Sequence, residues 1–191
     1  MPSQQPNGLS ITERAEKALG TCDYKMGKGG FSAIAELPGE VWQDKAKKRQ
    51  RTSCDCSGFV AWCISRSRRP QPDFGKWWLS TDTIWSDAVG TLRKIKTTER
   101  RLFKKVELAD MQPGDIVVYP DKWGVGGKKL GEGHCAIVVD PATRTVIDCS
   151  SSRNGILKRT GTVFFDMAQP GQPLKTNRRQ VICRYNPAGW P

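Results

Sequence analysis

Partway along this chain the hydrophobic period changes, and that change limits its architecture more than any other property of the sequence. Cys56, Phe59, Val60, Cys63 and Ile64 recur at i, i+3, i+4, i+7 and i+8, the stripe of a helix that packs on one side. Beyond residue 100 the apolar residues gather instead into short β-rich runs: Phe103–Val106, Ile116–Tyr119, Cys135–Val139, Val146–Cys149, Val163–Phe165 and Val181–Tyr185. Gly, Pro and Asp separate them, as they separate strands. Helices followed by a mostly antiparallel β-sheet predict an α+β fold.

Local signals sharpen the boundaries. Ser10-Ile11-Thr12-Glu13 is a capping box, and Ile11, Ala15, Ala18 and Leu19 follow at helical spacing up to Gly20, a first helix of about three turns. Residues 21–53 read as one long connection, rich in Gly and closing on a basic run. Asp55 can cap the next helix, so Cys56 opens it, and Gly58 lets another backbone approach closely. Thr81–Ala88 reads as a short helix capped by Thr81 or Ser80. Gln112-Pro113-Gly114-Asp115 suits a type II turn, and Asp140-Pro141-Ala142-Thr143 a type I turn that folds the runs on either side into a hairpin.

With 191 residues and no long polar linker, the chain is expected to form a single domain over 1–191, with 1–9 flexible. Its net charge of +12 points to an anionic polymer as partner: nucleic acid, anionic lipid and bacterial cell wall all qualify. The first residues contain no basic segment followed by an apolar run, so neither a secretory signal nor a membrane span is expected there. Action outside the cell would then need lysis or a dedicated secretion system, unless the sequence has been trimmed. If one of the seven cysteines is a free nucleophile, six remain for up to three disulfides; the simpler reading makes them small buried hydrophobes.

The chain has one histidine, His134, which limits the available mechanisms. A thiol becomes nucleophilic beside a base or a positive neighbour, and a third group must orient that base. Cys56, His134 and Asp148 supply those three types. Cys56 would face the positive end of its helix, which lowers a thiol pKa. If the hairpin turns near Pro141, His134 faces Asp148 on the same side of the ladder, where cross-strand Cβ atoms lie about 5 Å apart. Cys54 is a rival nucleophile, placed ahead of the helix where the dipole helps less. A zinc site of Cys54, Cys56, His134 and Cys135 has suitable ligand types but unusual spacing, and alternation sends His134 and Cys135 to opposite faces. Neither metal nor cofactor is expected.

These segments together resemble the NlpC-type cell-wall cysteine peptidases. The likeness runs through Leu19-Gly20, Tyr24, Gly29-Gly30, Asp55-Cys56-Ser57-Gly58-Phe59-Val60, Gln112-Pro113-Gly114-Asp115-Ile116-Val117, Gly133-His134-Cys135-Ala136-Ile137-Val138 and Val146-Ile147-Asp148. It implies a compact papain-like fold, with Cys56 as nucleophile, His134 as general base and then acid, and Asp148 orienting the imidazole. It also implies a substrate and oxyanion region around Tyr24, Ser57 and the Cys56 amide. The substrate it implies is an amide in the stem peptide of peptidoglycan, typically between D-glutamate and diaminopimelate. Asp148 departs from a family in which the third residue is often histidine, and the long 30–54 segment and the Lys122–Glu132 insert depart as well.

Two other readings accompany this one. The same three residues serve deamidases and acyltransferases acting on other amides. A non-enzymatic nucleic-acid module could use the basic runs with Trp77, Trp78 and Trp85, though no recognised nucleic-acid-binding motif accompanies them, so nucleic acid is not the expected partner.

Overall fold

The computed structural model describes residues 10–44, 49–69, 78–91, 101–160 and 180–190. The Val163–Phe165 run, Trp77 and residues 1–9 lie outside the described residues. Ser10 caps α1 (Ile11–Lys17) with the full capping box, its hydroxyl accepting from the Glu13 amide and the Glu13 carboxylate accepting from the Ser10 amide. The helix has two turns, not three. Ala18 already caps its C-terminus, and Gly20 takes φ +70°, the left-handed geometry that stops a helix.

The segment expected to be one long connection folds into a small sheet. Its strands β1 (Asp23–Tyr24), β2 (Glu40–Asp44) and β3 (Arg49–Cys54) lie in the order β1-β3-β2, with β1 parallel and β2 antiparallel to β3. The sequences Glu-Val-Trp-Gln-Asp and Arg-Gln-Arg-Thr-Ser-Cys carry few strand formers, so pairing, and not propensity, makes them strands. Tyr24 is thereby set opposite Cys54, one residue before the Asp55 cap.

α2 (Cys56–Cys63) is buried along its whole length, where the sequence promised a single buried stripe. The sheet covers one side. On another the 28–30 loop closes in so tightly that a Cβ on Gly58 would come within 2.5 Å of the Lys28 carbonyl oxygen. α3 (Thr81–Ala88) is capped by Ser80, and its buried Asp87 accepts from the amides of Leu102 and Phe103 at 2.8 and 2.9 Å, fixing it to the sheet.

The main sheet has six strands in the order β10-β9-β8-β5-β11-β4, every neighbouring pair antiparallel. These are β4 (Arg101–Val106), β5 (Ile116–Tyr119), β8 (His134–Asp140), β9 (Thr145–Ser150), β10 (Gly155–Arg159) and β11 (Val181–Trp190). Ile116, Val118, Cys135, Ile137, Ile147 and Cys149 join the core that also holds Phe59 and Val60 of α2, whereas Val117, Ala136, Val138 and Val146 form a second cluster on the reverse face. Burial on both faces explains why these runs read as almost continuously apolar. Each fully buried Ile or Phe here stabilises the fold by roughly 1.5–3 kcal/mol.

The predicted turn before β5 is present: Gly114 has φ +92° and the Asp115 amide donates to the Gln112 carbonyl at 3.1 Å. Between β5 and β8, the insert forms a small hairpin of β6 (Lys122–Trp123) and β7 (Lys129–Gly131). Among the described residues no helix is long and apolar enough to cross a membrane.

Candidate active site

The local sequence fixes Cys56 through its neighbour. Asp55 has extended backbone and caps α2, with Oδ1 accepting from the Gly58 amide at 2.8 Å. Its Oδ2 accepts from the Gly27 amide at 2.7 Å and pairs with Arg68 Nη1 at 2.8 Å. Ser57 completes this buried support, its hydroxyl donating to Asp55 Oδ1 at 3.1 Å and accepting from Arg68 Nη2 at 2.9 Å. The Ser57 side chain is therefore engaged inside the scaffold. Cys56 stands in the first turn of α2, where the backbone N–H groups and helix dipole favour an anion.

His134 is the first residue of β8 and Asp148 lies in β9. The β8–β9 hairpin sets Ile137 opposite Ile147 and Val138 opposite Val146, and its turn spans residues 141–144 with Asp140 opposite Thr145. Asp148 is therefore diagonal to His134 on the same face, not directly opposite as a turn centred near Pro141 would have it. A diagonal pair still suits a ring and a carboxylate. His134 Nε2 lies 2.7 Å from Asp148 Oδ2, with the aspartate wholly buried and the imidazole 18% exposed. That leaves Nδ1 as the nitrogen for the hydrogen bond the ring shares with Cys56.

The two partners shift each other. The Cys135 thiol donates to Cys56, and with the His134 hydrogen bond and charge this outweighs burial and lowers the Cys56 thiol to about 6. Burial disfavours the imidazolium, but hydrogen bonds and charge from Asp148 and Cys56 more than offset it and raise His134 to about 9. The arrangement thus favours a thiolate–imidazolium pair at neutral pH.

Cys54, the rival thiol, is elsewhere. Its sulfur lies 3.4 Å from that of Cys149 and also hydrogen-bonds Cys22, and these contacts together with burial push its ionisation far up. Cys22 accepts from Cys54, from Thr52 at 3.3 Å and from Thr21, and is lowered to about 6. All seven cysteines are free and buried.

A cleft of about 330 Å³ opens over the imidazole, lined by Tyr24, Met26, Tyr119, Glu132, Gly133, His134, Ser150, Ser151, Ser152 and Arg159. Burial and the nearby Cys56 charge hold the Tyr24 phenol neutral, pushing its ionisation up. The tyrosine's amide donates to the Asn154 side chain at 3.2 Å, and its hydroxyl lies 3.7 Å from the Met26 sulfur. Cys56, 6% exposed, is not among the residues lining this cleft and meets it through its hydrogen bond with His134.

Strand alternation predicts His134 and Cys135 on opposite faces, yet both side chains hydrogen-bond Cys56. At the first residue of a strand the ladder no longer dictates where a ring can reach. Cys135 was therefore missed, as were Arg68 beneath Asp55 and Arg159 beside Asp148. The third had a signal: Asn154-Gly155 is a hairpin turn pair, and it announces β10 and its terminal arginine. Among the described residues, no group of three or more His, Cys, Asp or Glu side chains is arranged to hold a metal ion.

No family model and no curated protein matches the chain. Solved structures similar to it include NlpC1 of Trichomonas vaginalis (TM-score 0.47, 16% identity), NlpC2 of the same organism (0.46, 15%) and the peptidoglycan hydrolase RipB of Mycobacterium tuberculosis (0.43, 16%). The matches cover 95%, 92% and 91% of this chain and 46%, 46% and 62% of those chains respectively. The chain thus spans about half the length of the two Trichomonas structures.

Proposed function

We propose that this chain is the single catalytic domain of a cysteine hydrolase that cleaves an amide bond in peptidoglycan stem peptides. The observation that carries the reading is the buried contact series Cys56–His134–Asp148, whose imidazole lines an open cleft and whose sulfur stands in the first turn of α2. The motif order read from the sequence supports the choice of substrate, as does a net charge of +12 facing an anionic polymer. The site of action is then the cell wall.

In this mechanism the Cys56 thiolate attacks the amide carbonyl carbon, and the electron pair moves onto the oxygen. Backbone N–H groups at the start of α2, the Cys56 amide among them, stabilise that oxyanion. His134, protonated and aligned by Asp148, gives its proton to the leaving amine as the C–N bond breaks, leaving a thioester on Cys56. Water, deprotonated by the then neutral His134, hydrolyses the thioester and restores the thiolate–imidazolium pair. Tyr24 borders the approach of the acyl group. The bond we assign is that between D-glutamate and diaminopimelate.

Digestion of purified sacculi followed by mass spectrometry of the released muropeptides tests this. The expected products carry a new amine on diaminopimelate, and none form with Cys56→Ala. Intact sacculi combined with conversion of protein glutamine to glutamate would transfer the same chemistry to a deamidase. Full sacculus hydrolysis by Cys56→Ala would remove the nucleophile assignment altogether.

A further inference from the structure

We propose that Arg159 is a positioning residue of this site: its guanidinium balances the buried Asp148 carboxylate and so sets how readily His134 releases its proton. This rests on the function proposed above. Asp148 has no exposure, and only its Oδ2 is taken by His134. Its Oδ1 lies 2.9 Å from Arg159 Nε, and the N–H is not aimed at it, so the contact is one of charge and not a directed hydrogen bond. Among the described residues neither Oδ1 nor the shielded Nε and Nη2 of Arg159 has a hydrogen-bond partner.

The strand register explains the placement. Leu157 of β10 pairs with Asp148, so Arg159, two residues on, shares that face and reaches diagonally across the ladder. An isolated buried carboxylate is costly, and His134 compensates it only while protonated. At the step in which the imidazolium gives its proton to the leaving amine, that compensation disappears. Arg159 keeps its charge throughout, because a guanidinium does not deprotonate in this range. The same charge disfavours the imidazolium and so makes His134 the better acid.

The other ionisable groups around the ring are Cys56 of α2, Cys135 of β8, Asp148 of β9, Tyr119 of β5, Tyr24 of β1, and Glu132 just ahead of β8. None of them is a permanent cation. Arg159 is the one Lys or Arg among the described residues lining the cleft.

Because His134 is the only histidine, its ring proton resonance reports this titration without assignment ambiguity. The measurement uses a Cys56→Ser background, free of the thiolate. Arg159→Met is expected to raise the His134 midpoint by about one pH unit, and Arg159→Lys to restore most of it. Arg159→Gln carries the same comparison if the methionine variant does not fold. A purely structural arginine would lower the thermal midpoint and leave the titration where it was, and an unmoved midpoint in a folded Arg159→Met or Arg159→Gln overturns the proposal. In the active enzyme, Arg159→Met should lower kcat about tenfold with KM unchanged. Sacculi untouched by the unmodified protein would refute the proposed function and leave the titration result standing.

Discussion

Cys54 and Cys56 are separated by one residue, yet their thiols shift in opposite directions. Cys54 ends β3 among other sulfurs: its single S–H has Cys149 and Cys22 as acceptors, so its neutral form is the one that is held. Cys56 begins α2 and accepts, from the Cys135 thiol and the His134 imidazolium. Both are buried, at 0% and 6% exposure, so burial alone does not distinguish them. The lesson is that donor direction and the sign of the nearest charge decide which buried thiol ionises, and Asp55 between them makes the difference by ending a strand and starting a helix.

The largest contrast should appear in activity. Cys56→Ala is expected to lower hydrolysis of sacculi by about four orders of magnitude or more, while Cys54→Ala stays within about threefold of the parent. Comparable losses in the two variants would erase the distinction. Next comes the support for the ion pair: His134→Ala should cost about 10³-fold and Asp148→Ala about 10²-fold in kcat/KM, the latter retaining a measurable trace.

The pH dependence tests the same pair from another side. Cys56 is shifted down to about 6 and His134 up to about 9, so the thiolate appears as pH rises through the first value and the imidazolium is lost as it rises through the second. A bell-shaped kcat/KM profile with limbs near those values is expected, belonging to the pair and not to either group alone. A single limb near pH 8.5, the ordinary thiol value, would remove the ion pair. Iodoacetamide labelling at pH 7 adds a control, since His134→Ala should slow alkylation of Cys56 and leave that of Cys22 unchanged. The smallest effect belongs to stability. Cys54→Ala should lose about 1–2 kcal/mol in denaturant unfolding, by emptying space beside Cys149 in the core.

Much of this was legible before any coordinates. The capping box at Ser10, the Asp55 cap, the Ser80 cap of α3 and the type II turn at Gly114 are local events, and each sits where its residues put it. Five of the β-rich runs are strands: Ile116–Tyr119 is matched at both ends, and the other boundaries move by at most five residues. The sheet of β1, β2 and β3 was not legible, since β2 and β3, though neighbours in sequence, are written largely in Arg, Gln and Asp, and β1 joins β3 from far upstream. β10 was overlooked despite its Asn-Gly turn. The hairpin carrying His134 and Asp148 was expected, but its register came out diagonal because the pairing is centred on Ala142 and not on Pro141, which slides the facing strand by two residues.

What the amino-acid order determined by itself was the kind of chemistry available: one imidazole, a cysteine behind a capping aspartate, and a carboxylate on the strand after the histidine. These follow from spacing within single elements or across one short turn, where backbone geometry leaves few choices. Only the tertiary structure decided the environment of each group. It set Cys135 against Cys56, Cys149 against Cys54, Arg68 beneath Asp55 and Arg159 beside Asp148. Those contacts join segments up to about a hundred residues apart, and the charge and hydrogen-bond terms that set a buried group's ionisation come from such neighbours and not from the residue itself.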